Sequence, residues 1–124
     1  MKNLSSPDSI YHHLLPHVSF EQEEFWVLAM TSHLDLIQQK CLFRGTVDHC
    51  LIHPRDIFRY ALSVNATGIV LVHTHPSGLS TPSHEDILVT KDLVAAAKLM
   101  KIPIWDHIIF TSADYFSFKK KHLL

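Results

Sequence analysis

The segment from His73 to Asp86 reads His-Thr-His-Pro-Ser-Gly-Leu-Ser-Thr-Pro-Ser-His-Glu-Asp. It offers two imidazoles two residues apart and a carboxylate eleven residues after the second. A hydrolytic zinc site takes three protein ligands of this kind and keeps a fourth position for water. On a strand, residues two apart project from one face, so His73 and His75 can aim at a single ion. Pro76, with its fixed φ and no N–H, then turns the chain off the strand. Histidine is frequent here, with 11 among 124 residues. A shuffled chain would hold about one His-x-His pair, so the pair alone decides little.

Asp86 has two readings. Ser83-x-x-Asp86 has the form of a capping box at a helix start. On a helical wheel Asp86 also shares a row with Thr90, Leu93 and Ala97, leaning to the apolar side, while Glu85 and Asp92 take the wet face. A carboxylate turned inward must be paired or must bind a metal. Ser83 is an N-cap on one reading; beside a metal, its hydroxyl can donate to a developing oxyanion. A hydrolase also needs a general base. The chain has four glutamates, Glu21, Glu23, Glu24 and Glu85. Glu85 falls on a solvent row and Glu21 precedes the first strand. Glu23 and Glu24 open that strand on opposite faces, and periodicity leaves the choice between them open. For each, a solvated charge at a strand end is the plain alternative.

The elements that must position these residues follow from local signals. Ser6 caps and Pro7 opens a short helix that ends by Leu15 before Pro16. Glu23 to Met30 is apolar on both faces and predicts a central strand. A second strand spans Leu34 to Phe43, with Gly45 marking its end. Pro54 opens a helix with Ile57, Phe58, Ala61 and Leu62 on its inner face. Ile69 to Val72 reads as a buried strand, with both histidines at its C-terminal end. A Pro- and Gly-containing loop from Pro76 to Pro82 leads to a helix from Ser83 to Met100. Its buried stripe is expected to be Ile87, Leu88, Val94, Ala95 and Leu99. Strands follow at Ile104 to Phe110 and near Tyr115 to Phe118. This alternation predicts a layered α/β class.

Composition narrows the function. At 124 residues and 47% apolar, the chain suits one folded domain. A net charge of -1 gives no basic footprint for nucleic acid or an anionic membrane. Lys119 to Lys121 reads as a solvated end. The two cysteines, Cys41 and Cys50, lack Cys-x-x-Cys spacing and fit a reducing compartment, although sequence does not exclude a bridge between them. Without a signal-peptide core or a membrane-length apolar run, a cytoplasmic location is expected.

His73-x-His75-Pro76, six residues, Ser83, two residues and Asp86 match the JAMM (MPN+) metalloprotease motif at every fixed position. The flanking text resembles the JAB domain of the RadC family. It includes Phe43-Arg44-Gly45-Thr46, His53-Pro54-Arg55-Asp56-Ile57-Phe58, Asn65-Ala66, His75-Pro76-Ser77-Gly78 and Asp106-His107. The resemblance covers residues 19–124, which leaves 1–18 as an N-terminal helical extension. It implies a JAB/MPN fold, a mixed sheet flanked by helices and related to the cytidine-deaminase-like three-layer sandwich. It implies one zinc ion per chain, held by His73, His75 and Asp86. The family's glutamate stands two residues before a strand phenylalanine, which designates Glu23 as the base; Ser83 would assist. The implied activity is metallopeptidase or isopeptidase hydrolysis of an amide bond in a peptide or protein. The alternatives are a non-catalytic zinc-containing interaction module and an accessory protein in DNA repair. RadC proteins usually carry a helix-hairpin-helix region for which no room is seen here, so direct nucleic-acid binding is not expected. Thr74 stands where the family usually has asparagine. It points away from the ligand face, so little effect on metal binding is expected. His53, Arg44 and Arg55 could line a substrate groove, and Asp106-His107 could support the site. A helix start, solvated arginines and a structural hydrogen bond are the plain alternatives. A nucleobase deaminase is ruled out by the missing His-x-Glu and Pro-Cys-x-x-Cys.

Overall fold

The computed structural model describes residues 1–45 and 52–124. Thr46 and Cys50, named above, lie outside the described residues. Helix α1 spans Pro7–Leu14, with a 3-10 turn over Leu15–His17 behind it. Strand β1 is Glu24–Met30 and β2 is Leu36–Arg44. Helix α2 is Pro54–Ser63, β3 is Gly68–Thr74, α3 is His84–Met100, β4 is Ile104–Phe110 and β5 is Tyr115–Ser117. The strands form one mixed sheet in the order β2-β1-β3-β4-β5. Only β3 and β4 run parallel, joined across α3; the other neighbours are antiparallel.

Alternation along the strands divides the core in two. On one face Phe25, Val27, Ile69 and Leu71 meet Ile57, Phe58 and Ala61 of α2 and Val89, Leu93 and Ala97 of α3. On the other, Leu28, Val70, Val72, Ile108 and Phe110 meet Leu4, Ile10, Tyr11 and Leu14 of the α1 segment. This is the expected layered α/β arrangement, with helices on both sides of the sheet. Every residue of β3 is buried, as a central strand covered on both faces requires. Gly68 opens it beneath Trp105, and a Cβ there would meet the indole at 2.6 Å. The close approach of strand and ring demands glycine.

Three expectations need correction. β2 begins at Leu36, not Leu34, because Leu34 (φ 64°) belongs to the tight turn closed by Leu34 N–H to Thr31 C=O. Leu62 lies outside the buried face of α2, which is Ile57, Phe58, Tyr60 and Ala61. The inner row of α3 is Asp86, Val89, Thr90, Leu93 and Ala97, not the stripe read from hydropathy. Leu99 is 87% exposed and Ala95 is exposed. Two polar residues stand in the true row, so counting apolar residues rotated the helix. The row keeps 3.6-residue spacing all the same.

Candidate metal centre

β3 delivers His73 as its next-to-last residue, and the chain leaves the sheet at His75. His75 N–H still donates to Phe110 C=O, which fixes the exit. α3 returns with its first turn aimed at the same end of the sheet. Ser83, in extended conformation, accepts the Asp86 N–H, and the Asp86 carboxylate accepts the Ser83 N–H at 2.8 Å. The capping box is therefore present, and it does not exclude the other reading of Asp86. The same carboxylate, 3% exposed, lies 2.9 Å from His73 Nδ1 through Oδ1 and 3.0 Å from His75 Nε2 through Oδ2.

The hydrogen-bond partners bear on what this cluster suits. His75 Nδ1 lies 2.7 Å from Leu79 C=O. A carbonyl can only accept, so Nδ1 carries a proton, and Nε2 is the nitrogen left to face Asp86 and to take a metal. Fixing the tautomer through a backbone carbonyl is how metal-binding histidines are commonly oriented. Both nitrogens of His73 are buried without a hydrogen-bond partner, although Nδ1 is so close to Asp86. Nitrogen and oxygen are near each other but not aligned to share a proton. One atom from each of His73, His75 and Asp86 lies within 4.8 Å of the others, so the group could hold a metal ion. Electrostatics agree. Burial opposes a charged Asp86, but His73 and His75, with the Ser83 N–H, hold its pKa far below the ordinary carboxylate range. Burial also opposes a proton on His73, yet the Asp86 and Glu23 carboxylates raise its pKa. Buried lone pairs and a carboxylate converging on one point fit a divalent cation.

Glu23 and Glu24 separate sharply. Phe25 pairs with His73, so alternation turns Glu23 to the α2–α3 face of the sheet that His73 occupies. Glu23 Oε2 lies 3.9 Å from His73 Nε2. Glu24 turns to the other face, where Ser19 N–H, Trp26 Nε1 and Arg44 Nε occupy its carboxylate. Burial pushes the Glu24 pKa up, but these donors hold it below the ordinary value. An open cleft lined by Gln22, Glu23, Gly45, Pro76 and Ser77 runs beside Glu23.

The remaining named residues take structural places. Arg44 pairs with Glu24, Arg55 lies 3.5 Å from Asp56, and His53 caps α2. Asp106 and His107 part company. Asp106 faces α1 and binds Ser117 Oγ and Lys119 N–H. His107, wholly buried, faces α3 and meets Thr90 Oγ1 through Nδ1. Thr90 donates its one hydroxyl proton to Asp86 C=O, so it can only accept from His107. Thr90 was not singled out in the sequence. Its place four residues after Asp86, on one row, was the available signal.

The family described as RadC-like JAB domain matches residues 4–123. A UPF0758 protein of Thermotoga maritima is 39% identical over 120 residues, covering 97% of this chain and 54% of the relative. A UPF0758 protein of Haemophilus influenzae (strain PittEE) is 38% identical over 122 residues, covering 98% of this chain and 55% of that protein. One from Symbiobacterium thermophilum is 35% identical over 125 residues, covering 98% and 53%. The chain thus spans about half the length of the curated relatives it matches.

Proposed function

As the chain belongs to the RadC-like JAB domain family, we propose that it is a zinc-dependent hydrolase of amide bonds in peptides or proteins. The observation that carries this reading is the convergence of His73, His75 and the buried Asp86 carboxylate, with the Glu23 carboxylate beside His73. His73, His75 and Asp86 would hold the ion. When bound, zinc would lower the pKa of a water from about 15.7 toward about 7 and polarise a carbonyl. Glu23 takes a proton from the attacking water and passes it to the leaving amine. It is near the buried site and open to the cleft, with a side chain 31% exposed. Ser83 donates its hydroxyl proton in a hydrogen bond to the oxyanion while its oxygen still accepts the Asp86 N–H. The cleft beside Glu23 would take the substrate chain. No helix among the described residues is long and apolar enough to cross a membrane, and a cytoplasmic site of action is part of this proposal.

Metal analysis of protein purified at pH 7 without chelator tests the first step. One zinc per chain is expected, and its loss in Asp86→Asn. A protein that takes up no zinc overturns the reading. Glu23→Gln should keep the metal and lose hydrolysis; full activity in that variant would remove Glu23 from its role.

A further inference from the structure

We propose that Thr74, between the two candidate ligand histidines, is a positioning residue for Glu23. This rests on Glu23 acting as the base. Thr74 is wholly buried. Its Oγ1 accepts the Glu24 N–H at 2.8 Å, and its hydroxyl points back to Gln22 C=O at 3.5 Å. One hydroxyl therefore touches the backbone on both sides of Glu23. The Glu23 carbonyl is bound in turn by Gly45 N–H at 2.8 Å. Gly45 adopts φ 128°, a conformation that favours glycine.

The geometry gives Thr74 a task distinct from its neighbours. His73 and His75 face the ion, while the residue between them turns the other way. There it meets the start of β1, where regular pairing with β3 has ended at Phe25 and His73. At that point a side-chain hydroxyl takes the place of a ladder carbonyl. The first residue of β1 is thereby tied to the strand that carries the ligands. Glu23 lies just outside the β1–β3 ladder, between this tie and the Gly45 N–H bond to its own carbonyl. A base displaced by about 1 Å can cost about 100-fold in rate. The metal ligands themselves would be untouched.

The test compares Thr74→Val, which keeps the shape and removes the hydroxyl, with Thr74→Ser, which keeps the hydroxyl. Acetohydroxamic acid, which loses its hydroxyl proton as it chelates zinc and binds more tightly where a nearby carboxylate takes that proton, is titrated into each zinc-loaded protein. Thr74→Val should bind zinc as the wild type does but acetohydroxamate about tenfold more weakly, with Thr74→Ser restoring the affinity. Amide exchange gives a second readout: the Glu24 N–H should be protected in the wild type and in Thr74→Ser, and released in Thr74→Val. Unchanged acetohydroxamate affinity in Thr74→Val overturns the proposal, provided that Glu23→Gln weakens it. If Glu23→Gln has no effect, the role of Glu23 itself falls. If Thr74→Val does not fold, an unprotected Glu24 N–H in the wild type still overturns the tie.

Discussion

His73 illustrates how far one residue's chemistry can be read from its surroundings. Its ring is 2% exposed and lies between two carboxylates, with neither nitrogen hydrogen-bonded. In metal-free protein the Asp86 and Glu23 carboxylates favour a proton on His73 despite its burial. His73 has a raised folded pKa, so its stabilisation is full below about 6.5 and is lost as pH rises through the folded value. His107 behaves in the opposite sense. Burial, reinforced by His73, pushes its pKa down to about 3. Between about 6.5 and 3 the unfolded chain binds a proton that the folded chain refuses, so stability falls on acidification. The slope from this group is about 1.4 kcal/mol per pH unit. Asp86, with its depressed pKa, adds a further loss below about 3.8. Thermal midpoints of chelator-treated protein should therefore peak between about pH 6 and 7. His107→Phe should flatten the acid limb above about pH 4 while leaving the alkaline limb. A midpoint that rises steadily from pH 7 to pH 9 would contradict the assignment for His73.

Among the elements, α3 does two things with one row of side chains. Val89, Leu93 and Ala97 seat the helix on the sheet, and Asp86 and Thr90 extend that row to the candidate metal centre. Leu93 is wholly buried, so Leu93→Ala should cost about 2–5 kcal/mol. Leu99 lies outside the row, and Leu99→Ala should stay within about 0.5 kcal/mol. Urea unfolding of the two variants measures the orientation of the helix directly. Thr90 ties Asp86 C=O to His107, whose ring stacks on Phe118 at 4.6 Å. Thr90→Val should weaken zinc binding about tenfold without removing a ligand. Competition with a chromogenic chelator would show this, and unchanged affinity would mean that α3 holds Asp86 without help.

At the scale of the whole molecule, the sheet separates the two cores, and the candidate site lies at one end of the α2–α3 side. The other side is closed by the α1 segment: Leu4, Ile10 and Leu14 cover Leu28, Val70, Val72, Ile108 and Phe110. Tyr11 reaches further, donating to Thr111 C=O at 2.9 Å. A chain starting at residue 19 would bare this apolar face of the sheet. It should bind a hydrophobic dye and lose cooperative melting. If it melts as sharply as the full chain, residues 1–18 are an extension and the domain proper begins after them.

Local physics made most of the elements legible. Caps and prolines marked the starts of α1 and α2, and a β-branched run marked β3. The His73-x-His75 spacing needed only the two-residue period of a strand to place both rings on one face. The capping-box text identified Ser83 and Asp86, because a helix start is a local event. The rest depended on contacts between distant parts of the chain. Glu23 and Glu24 are equivalent by period, and their roles diverge because β1 pairs with β3 in one register while Arg44 and Ser19 reach Glu24 from elsewhere. The helical wheel places Asp86 on the inner row with Thr90, Leu93 and Ala97, and that row is the buried one. The hydropathy stripe misses it because Asp86 and Thr90 are polar, and their partners His73, His75 and His107 come from elsewhere in the chain. Thr74 looked inert for the same reason: the backbone it holds lies 50 residues away in the chain. The sequence by itself determined which side chains could bind a metal. Only the tertiary structure decided which of them share one point, because that depends on the pairing of β1 with β3 and the seating of α3 on the sheet.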